Sequence, residues 1–306
     1  MSSANDNPSP TQDRFADRMM TSVRALGPLC VGIDPHYGKI PKIFGPEGPG
    51  AISIWGKAIV AQCQGRVAMV KPQAGLFERW GAAGVAALES VCQAAHKAGL
   101  IVMLDAKRGD IGSTAVGYAE AYMRPNADAY CDAITVNPYM GLDTLEPFID
   151  AAERYDKGVA VLARTSNPGS ADFQARDLEG APLYMRVAEA LAPLSKRLQG
   201  KNTHWSGLML VAGATGPEEA RALRAATPDC PFLVPGYGAQ GAGASEAVAG
   251  FVTEDDMLMG GLVNASRSAT MPQAAQEAAT AKDWDVAIAT AIAEAQADLI
   301  GAVRVG

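Results

Sequence analysis

Leu104-Asp105-Ala106-Lys107-Arg108-Gly109-Asp110-Ile111-Gly112-Ser113-Thr114 follows directly on the apolar run Ile101-Val102-Met103. A strand sends residues i and i+2 to one face, so Asp105 and Lys107 share a wall while Leu104 and Ala106 turn away. The run before them has no polar alternation, the pattern of a strand covered by helices on both faces, as in a parallel sheet. Charges that close such a strand sit at its carboxyl edge, where α/β folds bind ligands. Taken alone, the segment also fits a structural ion pair with Asp110 capping a helix over 111–121. The rest of the chain decides between the two.

Runs of the same kind recur at 29–35, 67–73, 133–139, 158–166, 207–213, 232–236 and 261–267, which with 101–107 makes eight strands. Between them lie segments with apolar residues at helical spacing, among them 81–98, 143–155, 183–198 and 217–226, the last opening on Pro217. Eight strands alternating with helices, without a break in composition, predict a closed (β/α)₈ TIM barrel of the α/β class in one domain, over 14–306. A helix at 11–26 would cover the barrel floor, and 283–300 reads as a final helix. Loops at 35–50 and 167–182, without periodicity, are expected to be lids or binding loops at the mouth.

Composition narrows the function classes. The 306 residues are 48% hydrophobic and carry a net charge of -7 with no basic tract, which argues against a nucleic-acid or anionic membrane surface. The five cysteines are odd in number and lack Cys-x-x-Cys spacing, as expected of reduced thiols in a cytoplasmic protein. Residues 1–13 are rich in Ser, Pro, Asn and Asp without a signal-peptide pattern, and read as a disordered tail. No apolar run approaches bilayer length, so a soluble protein is expected. His36, His96 and His204 are isolated, without metal-pair spacing, and no metal site is predicted.

If the barrel is right, its strand ends share one mouth. They bring together Asp34, Lys71, Asp105, Lys107, Thr135, Asn137, Thr165, Ser166 and Arg267. Lys71 closes Val67-Ala68-Met69-Val70, a run much like the one before Asp105, so two lysines and two aspartates converge. Opposite charges in contact are the arrangement that survives desolvation. After the seventh strand comes Pro235-Gly236-Tyr237-Gly238-Ala239-Gln240-Gly241. Barrels of this kind bind phosphate after strands seven and eight, where glycines admit close backbone approach and Arg267 adds a bidentate cation. Asn264-Ala265-Ser266 is a glycosylation sequon on a core strand and is set aside.

Lys71, Asp105-x-Lys107-x-x-Asp110-Ile111-Gly112-x-Thr114, Pro235-Gly236 and Arg267 together resemble the orotidine 5'-phosphate decarboxylase family. The likeness runs from Gly32-Ile33-Asp34-Pro35 to Asn264-Ala265-Ser266-Arg267. Ala163-Arg164-Thr165-Ser166-Asn167-Pro168-Gly169 and the loop after strand seven resemble the longer, type 2 bacterial subgroup. Related magnesium-dependent sugar-phosphate lyases share Asp-x-Lys-x-x-Asp but carry an acidic residue on strand two, where this chain has Lys71. The resemblance implies cofactor-free loss of CO₂ from orotidine 5'-phosphate to give UMP in pyrimidine synthesis. It implies that Asp105 lies against the substrate carboxylate and that Lys107 stabilises and protonates the C6 carbanion. Lys71 and Asp110 would hold Lys107 and the ribose hydroxyls. It also implies a homodimer in which Asp110, Ile111 and Thr114 complete the neighbour's site. Asp34 would contact the ribose, Ser166 the pyrimidine edge, and Gln240 with Arg267 the phosphate, while Asn137, Pro235 and Gly236 are further expected substrate contacts. A non-catalytic phosphate-binding barrel is the alternative of another class; it has no need of both Lys71 and Lys107.

Overall fold

In the computed structural model, which describes residues 13–238 and 241–304, all eight apolar runs form strands. They are β1 (Leu29–Ile33), β2 (Met69–Pro72), β3 (Ile101–Arg108), β4 (Ala133–Val136), β5 (Gly158–Arg164), β6 (Leu208–Ala212), β7 (Phe232–Val234) and β8 (Gly261–Ala265). Each pairs in parallel with its neighbours, and β1 closes the ring by pairing with both β2 and β8. The fold is a TIM barrel. Apart from β3, the strands stop one to three residues short of the predicted ends, and at β1, β2, β5, β7 and β8 residues that close the run leave the strand and line the mouth.

Inside the ring, Cys30, Met69, Met103, Ala133, Ala160, Met209 and Leu262 form a buried layer. Two residues further along each strand, on the same face, come Gly32, Lys71, Asp105, Thr135, Leu162, Val211 and Asn264. The two-residue period thus stacks a rim that carries Lys71, Asp105, Thr135 and Asn264 on an apolar floor. Gly32 is required in this rim: a β-carbon there would lie 2.0 Å from Ser266 Oγ. Below the floor, α1 (Phe15–Leu26) presses Phe15, Met19, Met20 and Val23 into the open end of the barrel, with the Phe15 ring against Gly158 and Gly207. Helix α1 starts at Phe15, and residues 11 and 12 of the predicted helix lie outside the described residues.

The outer helices are α2 (Pro49–Cys63), α3 (Gly81–Lys97), α4 (Gly112–Met123), α5 (Glu146–Tyr155), α6 (Leu183–Leu191), α7 (Pro217–Ala226) and α8 (Ala281–Val303). The predicted helix 183–198 is α-helical only to Leu191 and continues as a 3₁₀ segment, Ala192–Leu198, since Pro193 has no N–H to donate. The segment 167–182 is ordered rather than aperiodic. It forms a helical turn, Ser170–Phe173, and a small antiparallel pair, Asp177–Leu178 with Ala181–Pro182, around Glu179-Gly180, both at positive φ. One expectation is amended: by length and composition α8 could cross a membrane. Much of its apolar character comes from alanine, and its Trp284, Ile288, Ile292, Leu299 and Val303 stripe is buried in the core.

Candidate active site

The barrel mouth holds a cavity of about 470 Å³. Asp105 is its hub. Its Oδ2 accepts from Lys71 Nζ at 2.7 Å and from Gln73 Nε2 at 3.0 Å, and its Oδ1 from the Thr135 hydroxyl at 3.0 Å and from Lys107 Nζ. Burial alone would raise the Asp105 pKa, but the two ammonium groups and the hydrogen bonds outweigh it and hold the carboxyl well below the usual carboxylate range. Burial would likewise lower Lys71, yet Asp105 and then Asp34 overcome it and leave the ammonium raised. The triad is thus charged as a unit, two cations on one anion.

The two lysines differ in freedom. The Lys71 side chain is 4% exposed, fixed from below by β2, whereas that of Lys107 is 46% exposed and opens onto the cavity. Lys107 also has φ +47, the left-handed region that a side chain adopts only when its surroundings compel it. Beneath the triad, burial pushes the Cys30 thiol up to about 12, so it stays neutral.

On the other side of the cavity stand Asp34, Asn264, Ser166, Pro235, Gly236, Tyr237, Ser266 and Arg267. Asp34 Oδ1 and Asn264 Oδ1 are buried and find no donor among the described residues, so both acceptors suit a hydroxyl-bearing ligand. Gly236 has φ +104, a turn that favours glycine, and the next residue, Tyr237, donates its hydroxyl to Asp298 Oδ2 of α8 at 2.6 Å. Arg267 opens the short helix Arg267–Thr270 directly after β8. Gln240 lies outside the described residues.

Three predicted residues are not brought to this chain's own cavity. Asp110 accepts from its neighbour Ile111 N–H at 2.8 Å and does not meet either lysine; Ile111, not Asp110, occupies the cap position of α4. Thr114 is exposed on α4. Asn137 also stands apart from the cavity, its Oδ1 accepting from Tyr139 N–H in the turn after β4. Conversely, Gln73, Asn264 and His36 line the cavity without being among the predicted site residues. For Asn264 a signal existed: it lies two residues after the inward Leu262. Among the described residues no group of three or more His, Cys, Asp or Glu is placed to hold a metal ion.

Comparison with known proteins gives a consistent result. The family described as "Orotidine 5'-phosphate decarboxylase / HUMPS family" matches residues 27–283. A protein named orotidine 5'-phosphate decarboxylase from Rhodopirellula baltica is 36% identical over 304 residues, covering 94% of this chain and 99% of its own. One of the same name from Haloarcula marismortui is 41% identical over 279 residues, covering 89% and 90%. Among solved structures, Leishmania donovani OMP decarboxylase superposes with a TM-score of 0.76 at 32% identity, covering 94% of this chain and 98% of that one.

Proposed function

The chain belongs to the orotidine 5'-phosphate decarboxylase / HUMPS family, and we propose that it removes CO₂ from orotidine 5'-phosphate through the Lys71-Asp105-Lys107 triad. The product is UMP, in pyrimidine nucleotide synthesis. The observation that carries the division of roles is one carboxylate shared by a buried and an accessible lysine. A substrate carboxylate entering beside Asp105 meets a second negative charge and is favoured to leave as neutral CO₂. The C6–carboxylate bond breaks with its electron pair remaining on C6, and the Lys107 ammonium, the exposed member, stabilises that pair and then delivers a proton to C6. Lys107 is left neutral and regains its proton from solvent. Lys71 remains charged and keeps Asp105 ionised throughout.

Magnitudes limit what the triad can do alone. One charge contact at about 4 Å contributes roughly 4 kcal/mol at an effective dielectric of about 20. Large enzymatic rate enhancements ask for as much as about 23 kcal/mol. The difference must come from binding energy at parts of the substrate that do not react. Arg267, with Gly236 and Gln240, is assigned to the phosphate; Asp34, with its unpartnered Oδ1, to the ribose; Ser166 to the pyrimidine.

The reading includes a homodimer. Ile111, Val116, Tyr139, Met140 and Leu142 are exposed apolar side chains at the start of and along α4 and just after β4, close in sequence to Asp110 and Thr114, which do not line this chain's cavity. A second copy covering this patch would place Asp110, Ile111 and Thr114 at its neighbour's mouth. The five cysteines are buried and unpaired, which suits a reducing, cytoplasmic setting. The catalytic barrel is assigned to 14–306, after the tail 1–13.

The test is loss of the orotidine 5'-phosphate ultraviolet band on adding purified protein in EDTA. Rapid loss that is absent in Lys107→Ala supports the metal-free reading. Turnover only with added magnesium, or none at all, refutes it.

A further inference from the structure

Between the paired positions Leu104–Ile134 and Arg108–Val136, β3 spends three residues, 105–107, where β4 spends one, Thr135. Two extra residues in one strand strip backbone N–H groups of their ladder partners, and buried N–H groups need acceptors. Here the acceptor is a side chain: Thr135 Oγ1 accepts from Ala106 N–H at 3.0 Å and from Lys107 N–H at 2.9 Å. A hydroxyl has two lone pairs and one proton. With both lone pairs taken, the proton goes to Asp105 Oδ1 at 3.0 Å. Thr135 is 1% exposed, so solvent cannot replace any of these bonds.

We propose that Thr135 is the positioning residue for Lys107 and Asp105: its hydroxyl holds the bulge that turns Lys107 back onto Asp105 and out over the cavity. An aliphatic residue on β4 would pack the wall equally well but leave two N–H groups without acceptors exactly where Lys107 takes its left-handed conformation. The same hydroxyl ties backbone shape to charge, because it can donate to Asp105 only while Asp105 accepts. Thr135 does its work through these two residues and not by contact with the reacting atoms. The inference rests on the decarboxylase reading.

Its test compares wild type, Thr135→Val and Thr135→Ser, with Lys107→Ala as reference, for kcat and KM on orotidine 5'-phosphate and for UMP binding by titration. Misplacing a reacting group by about 1 Å costs about 100-fold, so Thr135→Val should lose about 100-fold in kcat. UMP affinity should change less than about threefold, since the binding groups are untouched. Thr135→Ser keeps the hydroxyl and should recover most of kcat. If Thr135→Val does not fold, Thr135→Ala removes the same hydroxyl and carries the comparison. The proposal is overturned if the valine or alanine variant keeps wild-type kcat, if serine is as impaired as valine, or if UMP affinity falls in step with kcat. A wild type inert toward orotidine 5'-phosphate refutes the functional reading and this inference with it. Normal wild-type turnover, lost in Lys107→Ala but kept in Thr135→Val, removes the positioning role alone.

Discussion

Asp105→Asn separates charge from shape at the hub of the site. The asparagine offers one acceptor oxygen where four donors converge, and its NH₂ must face either Lys71 and Gln73 or Lys107 and Thr135. An ammonium cannot reverse its role, so at least one lysine loses its acceptor. The Lys71–Asp105 attraction at 2.7 Å is about 6 kcal/mol at an effective dielectric of about 20, offset by the desolvation of both groups. Removing one partner of such a pair leaves the other charge buried, and the expected loss of stability is about 3–5 kcal/mol. The pH dependence should change sign as well. In the wild type the Lys71 pKa is raised, so its contribution is complete below the ordinary lysine value and is lost only as pH climbs through the raised one. That of Asp105 is present above the ordinary carboxylate range and is lost as pH falls through its depressed value. Without Asp105, burial dominates at Lys71, with Asp34 the remaining anion and the Cys30 thiol neutral, so its pKa falls below normal. The unfolded chain then binds more protons than the folded one, and stability rises with pH by up to about 1.4 kcal/mol per unit between that lowered value and about 10.4. Urea denaturation of both proteins at several pH values from neutral upward reads this directly. A variant with unchanged stability, or with the same alkaline pH dependence as the wild type, would refute the charge assignment.

Other expectations are simpler to check. Arg267→Ala should lower kcat/KM by about 10- to 100-fold, the worth of a charged hydrogen bond, although it touches no reacting atom; a value near wild type in the ultraviolet assay would undo the phosphate assignment. Lys107→Ala and Asp110→Ala should each be nearly inactive, yet mixing equal amounts under subunit exchange should restore about a quarter of wild-type activity, because half the dimers would carry one intact site of two. No recovery with demonstrated exchange would place Asp110 elsewhere. Tyr237→Phe frees the loop after β7 from Asp298, and KM should rise by about tenfold, with kcat changed less. A normal KM would mean the tether does not position that loop.

How much of this was legible in the sequence depends on the distance over which each feature is specified. Strands buried on both faces declare themselves in short apolar runs, so the barrel and the polar ends at Lys71, Asp105 and Lys107 could be read locally. Their convergence on one carboxylate needed only the barrel's closure. The role of Thr135 was hidden because it depends on the register between β3 and β4, and nothing in Leu104-Asp105-Ala106-Lys107-Arg108 signals a bulge. Gln73 was missed for a related reason: it reaches Asp105 across from β2, after the strand's apolar signal has ended. The hairpin at Asp177–Leu178 and Ala181–Pro182 has only two residues on each arm, too few to show the alternation that marks a strand. Asp110 and Thr114 carry a family resemblance in the sequence, while in the single chain they do not line its own cavity.

The floor of the barrel has a practical consequence. Phe15 is wedged among the strand beginnings, and Arg304 pairs with Met257 in the hairpin Val252–Glu254 and Met257–Met259 that leads into β8, so both extremes of the described backbone emerge opposite the lysines. Affinity tags, surface anchors or a second enzyme joined at either extreme would hang beneath the barrel. Immobilised that way, the catalyst presents its mouth to the bulk solution.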